Sequence, residues 1–165
     1  MRILSRPAVF NAIQQAKSLT EEQANAFLSQ FYQNNPAIGQ TFLSGFPMII
    51  EAQSEPMSHV FMDTCFDIIY VYAQILGELP ANAVSAQWLQ HKMKTLENDT
   101  KTQSQADIKN NAQTELLEYI DLVIDDAADK SKAGQAVATL TCNLLFLVTR
   151  LFDSIYDELI ADTVH

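Results

Sequence analysis

The stretch from Ser58 to Gly77, SHVFMDTCFDIIYVYAQILG, is long enough for about five helical turns and is apolar on nearly every side. A helix of that kind cannot lie on a surface. The face left in water would be a larger apolar patch than monomers carry, so other helices or a second subunit must wrap it. The segment VATLTCNLLFLV, Val137 to Val148, makes the same demand. Each parent helix would run about 30 Å at roughly 1.5 Å per residue, enough to cross a small domain. These two segments predict an all-α, single-domain helical bundle over residues 1–165. The helices at 56–77 and 133–161 pack together in its middle, with about five long and one or two short helices in all.

The rest of the chain supplies the wrapping. Its periodicity is helical throughout, with no strand-like alternation and no internal repeat. Glycine numbers four and proline five, and the prolines fall at element starts. Ser5 and Pro7 open a first helix that runs to about Ser18. Thr20-Glu21-Glu22-Gln23 is a capping box, and the helix it starts lines up Ala24, Phe27, Leu28, Phe31 and Tyr32 before ending near QNNP. Asn35-Pro36 begins a short helix to Leu43, the turn SGFP breaks it, and another short piece spans Pro47 to about Gln53. Ser54 caps the central helix and Gly77 ends it. Pro80 and Asn82 open a helix to about Leu96. Glu97 to Asp107, without a large apolar residue, is the expected exposed loop. A strongly amphipathic helix follows from about Gln103 to Ala128. After DKSKAG, the last helix runs from Ala133 to about Ala161.

Charge narrows the function classes. The net charge is −10, and it is unevenly spread. Residues 1–17 hold Arg2, Arg6 and Lys17 and no acid, whereas from Ser18 to His91 there is no lysine or arginine against seven acids. Nucleic-acid binding needs clustered cations to displace counterions, so it is not expected. A basic protein partner or a metal ion would be attracted, while acidity that merely keeps the domain in solution is the plainer alternative. No apolar run approaches the roughly 20 residues that span a bilayer, and the start of the chain lacks a signal-peptide block. A soluble, cytoplasmic protein with no membrane partner is the expectation. Cys65 and Cys142 each sit in an apolar helical pattern and read as core thiols.

Two carboxylates stand out in the greasiest segment. Asp63, Asp67, Tyr70 and Gln74 share one stripe of the central helix, with His59 a turn before it, and Arg150, Asp153 and Asp157 form a similar stripe on the last helix. A stripe of that spacing is either the line where a helix meets water or one wall of an internal site. In the second case, Asp63 and Asp67 would meet Arg150 in a buried ion-pair network or half of a metal site, because buried carboxylates need partners. A di-metal helical site is not expected, since none of His59, His91 and His165 follows a glutamate by three residues. Asp125-Asp126-x-x-Asp129 resembles the aspartate-rich magnesium motif of isoprenoid synthases over five residues. No second copy exists, the chain is short for that fold, and a helix C-terminus is the wrong pole for a pyrophosphate, so the match reads as coincidence.

No nucleophile stands beside a local base, and there is no glycine-rich phosphate loop; an enzyme is not the favoured reading, and no cofactor is implied. Glu115, Glu118, Asp121, Asp125, Asp126 and Asp129 form an acidic run with no base among them, the best surface for a basic partner. The favoured expectation is a protein that works by protein–protein interaction, as an inhibitor or antitoxin-like partner of a basic protein, with a homo-oligomer as one way to cover the apolar helices. The alternative is a small-molecule or divalent-metal-binding bundle, a hydrolase being one form of it, built on the acidic stripes of the two central helices.

Overall fold

In the structure, a computed structural model in which residues 3–102 and 113–160 are described, every regular element among the described residues is helical. The elements are α1 (Arg6–Ser18), α2 (Glu21–Asn34), α3 (Pro36–Gln40), α4 (Phe46–Glu51), α5 (Glu55–Leu76), α6 (Ala86–Thr102), α7 (Thr114–Ser131) and α8 (Gln135–Ser154). Wide π-type turns at Thr41–Gly45 and Ile155–Ile160 join α3 to α4 and extend α8.

Local chemistry sets the ends as the spacing predicts. The Ser5 hydroxyl accepts from the Ala8 amide at 3.3 Å, and the Ser54 hydroxyl from Met57 at 3.3 Å. Thr20 and Gln23 exchange side-chain hydrogen bonds with each other's amides, at 2.9 and 3.1 Å. Gly77 ends α5 at φ 92°, a backbone conformation that costs a side-chain-bearing residue energy.

α5 is the axis of the bundle. It buries Met57, Phe61, Cys65, Ile68, Ile69, Val71 and Tyr72, and α1, α4, α7 and α8 all pack against it. An aromatic cluster ties it to its neighbours: Tyr72 stacks on Phe152 at 5.0 Å and on Tyr156 at 5.7 Å, and Phe42 bridges Phe46 and Phe152. The buried apolar side chains form one contiguous core. α8 is less enclosed. Leu140, Leu144, Phe146 and Leu147 are only half-buried where they pack against the core. Among the described residues, Gln135–Ile160 is the one helix long and apolar enough to cross a membrane by length and composition, with 44% of that window buried inside the fold.

The structure departs from the expected elements in four places. SGFP does not break the chain: a π-type turn carries the helix through it, and Pro47, which has no N–H to donate, enters at the first turn of α4. The fourth long helix starts at Ala86, not at Pro80 or Asn82, because the Ser85 hydroxyl takes the Trp88 amide at 3.1 Å while Asn82 sits at φ 55°. α6 then continues to Thr102 through part of the expected loop, a polar stretch with no glycine or proline to stop it; the remainder of that loop and the expected start of the next helix lie outside the described residues. α7 continues to Ser131, three residues past Ala128, and ends at Lys132 in a left-handed conformation.

Candidate functional site

The opening stripe divides at Asp67. On α5, Asp63 is exposed, whereas Asp67 is only 2% exposed. Asp67 Oδ2 accepts hydrogen bonds from Lys17 Nζ at 2.9 Å and from the Tyr119 hydroxyl at 2.6 Å. α1 thus supplies the cation and α7 the phenol for a carboxylate on α5. Lys17 keeps its stem on the protein and is itself 55% exposed at the side chain. Burial and the adjacent carboxylate push the Tyr119 hydroxyl well above its usual range, so it stays a donor. The meeting of Asp63 and Asp67 with Arg150, which the internal-site alternative required, is replaced at Asp67 by Lys17 and Tyr119, while the exposed Asp63 fits the solvated stripe. Lys17 reaches Asp67 first, from an element that sequence spacing cannot place beside it. Tyr70 has left the polar stripe altogether: it is buried and packs on Phe27 at 5.3 Å and Phe66 at 6.0 Å.

A second buried carboxylate lies on α8. Asp153 Oδ1 accepts from the Tyr72 hydroxyl at 2.7 Å and from Gln113 Nε2 at 2.9 Å. Gln113 Oε1 in turn accepts the Leu4 amide at 2.9 Å, so one side chain stitches the N-terminal segment to α8. Burial raises the Asp153 carboxyl to about 6, against which the two hydrogen bonds pull downward. Asp157, a turn later, is exposed, so the α8 stripe also splits into one inward and one outward acid.

Cys65 is fully buried, its thiol pushed up by burial and by Asp67, which makes it an inert packing group. Cys142 is half-buried, and its thiol lies 3.2 Å from Asp121 Oδ1. The two cysteines are thiols and not a disulfide.

The acidic run of α7 faces outward. Leu116, Leu117, Ile120 and Ile124 fill the inward side of that helix. On the opposite side Glu118, Asp125, Asp126 and Asp129 are exposed, with Glu115 and Asp121 half-buried at its edges, and amid them Leu122 is 70% exposed. Arg6 of α1 bridges Glu115 at 2.8 Å and Glu118 at 3.2 Å, and Lys130 bridges Asp126 at 2.9 Å. These pairs sit in water, where ion pairs add little stability, so an incoming cation can replace the partner at little cost. Among the described residues, no group of three or more His, Cys, Asp or Glu side chains is placed to hold a metal ion.

Sequence spacing missed Lys17, Tyr119, Tyr72 and Gln113. A signal for Lys17 was present: no cation occurs from Ser18 to His91, so an α5 carboxylate must find its counter-charge on another segment, and residues 1–17 carry three bases. No protein-family model, no curated protein and no solved structure matches this chain.

Proposed function

We propose that this chain acts in the cytoplasm by binding a basic protein through the outer face of α7, in the manner of an inhibitor or an antitoxin-like partner. The observation that carries the reading is Leu122, a large apolar side chain 70% exposed within an arc of carboxylates. An apolar contact ringed by charge matches the anatomy of a protein interface, where the centre supplies affinity and the rim supplies steering. Two cysteines held as thiols accord with a reducing compartment. The metal- or ligand-binding alternative has less support, because its carboxylates are dispersed: Asp67 and Asp153 are inside, each bonded to its own tyrosine, and Asp63 and Asp157 are outside.

The test is capture from a lysate of the source cells by the immobilised chain, compared with a variant carrying Leu122→Ser, Asp125→Lys and Asp129→Lys. The expected outcome is retention of a discrete basic protein at low salt, its release as salt rises, and its loss on the variant. Retention that ignores both salt and the triple substitution contradicts the reading.

A further inference from the structure

The furrow between α5 and α7 is filled along only part of its length. α1 packs on both helices, burying Val9, Ala12, Ile13 and Ala16, with Arg6 reaching Glu115 and Glu118 on α7 and Lys17 reaching Asp67 on α5. At Lys17 the filling stops. The furrow continues as an open groove of about 560 Å³, with Val60, Val123 and Ala127 along it and Asp63 and Asp126 on its flanks.

We propose that this open half receives a short amphipathic helix from a partner protein, of the same chemical kind as α1: small and β-branched residues in the stripe that faces the groove, with lysine or arginine beside it. The inference rests on the reading above that the chain binds a basic protein, and it adds to the outer face of α7 a second contact, the segment which that protein inserts between α5 and α7. Three observations carry it. First, the furrow already holds such a helix, and residues 1–17 contain three bases and no acid. Second, the walls have the right length. The groove runs from Pro56 to Thr64 on α5 and from Tyr119 to Ser131 on α7, about 12 and 18 Å at roughly 1.5 Å per residue, enough for two to three turns. Third, the charge fits. Asp63 is exposed, and Asp126 is tied to Lys130 in an exposed pair, one turn apart on the same helix, that yields readily to a competing cation. Lys17 and Lys130 lie towards opposite ends of the groove, so the partner's cations belong on its middle turn, opposite Asp63 and Asp126. Docking an amphipathic helix by its apolar face is an established mode of peptide recognition.

The experiment uses the full chain and two synthetic helical peptides with the same Val/Ala/Ile stripe, one flanked by lysine and arginine, the other by glutamate. Binding is read by fluorescence anisotropy, and the site by amide shift mapping. The expected result is that the cationic peptide binds and shifts the amides of Val60, Val123 and Ala127. Val123→Arg, which blocks the groove, should weaken it by about tenfold or more. Should that variant fold poorly, Asp63→Lys at an exposed position gives the same reading, with about tenfold weaker binding. Equal binding of the glutamate peptide overturns the proposal. Shifts confined to the surface around Leu122, with the groove variants unaffected, overturn the groove and leave the basic-partner reading standing. No binding by the cationic peptide, with wild type folded, overturns the groove proposal, and the lysate capture then decides the broader reading separately.

Discussion

Asp67 and Asp153 are held alike but by donors of different charge. Each offers a single oxygen to a tyrosine hydroxyl and to a nitrogen donor from another segment. For Asp67 the nitrogen is the ammonium of Lys17; for Asp153 it is the neutral amide of Gln113. Hydrogen bonds alone do not replace the lost hydration of a carboxylate, and Asp153 accordingly rises to about 6. The contrast teaches that a buried acid on a greasy helix need not mark an active site. Asp67 anchors α1 in the furrow, and Asp153 fastens the N-terminal segment through Gln113.

The largest effect should come from stripping Asp67 of both donors. Lys17→Ala with Tyr119→Phe leaves a buried carboxylate bare, and the chain should lose about 3–5 kcal/mol in urea unfolding at neutral pH. A loss below about 1 kcal/mol would mean that water reaches Asp67 and that the comparison is void.

Asp153→Asn should do the opposite at neutral pH. The folded-state value, about 6, lies above the ordinary aspartate value of 3.8, so the folded chain holds this proton more tightly than the unfolded chain. Its contribution to stability is therefore fullest below about pH 4 and is lost as pH rises through about 6. The substituted amide would keep an acceptor for Tyr72 and Gln113 without the buried charge. The variant should gain about 2 kcal/mol over the wild type at pH 7.5, with the gain vanishing near pH 4. A gain that is independent of pH would count against the assignment.

The smallest effect belongs to Asp63→Asn. As an exposed side chain outside the Lys17–Tyr119 network, it should change stability by no more than about 0.5 kcal/mol in the same urea titration. Its effect should be on binding instead.

Sequence periodicity made the helical class, the capping residues and the central place of α5 legible, because each depends on neighbours within a few positions. Ser54, Pro56 and Gly77 frame α5 by local backbone chemistry alone. The path of Pro36 to Glu51 was not legible: a glycine and a proline this close can end a helix or pass through a wide turn, and packing of Phe42 and Phe46 into the core favours the turn. The partners of the buried acids were legible only coarsely: the lack of cations from Ser18 to His91 put the counter-charge of Asp67 on another segment without saying which. Lys17 lies fifty residues from Asp67 and Gln113 forty from Asp153, and spacing along one helix says nothing about which other helix comes alongside. Of the site residues, the outward arc of α7 was the readable part, since its inward and outward sides follow from one helical period.

A double-mutant cycle on Lys17→Met and Asp67→Asn tests most directly whether α1 is held in the furrow by an ion pair to a buried carboxylate. Measured by urea unfolding at neutral pH, the expected coupling energy between the two positions is about 1–3 kcal/mol. Effects that simply add, to within about 0.5 kcal/mol, would contradict it.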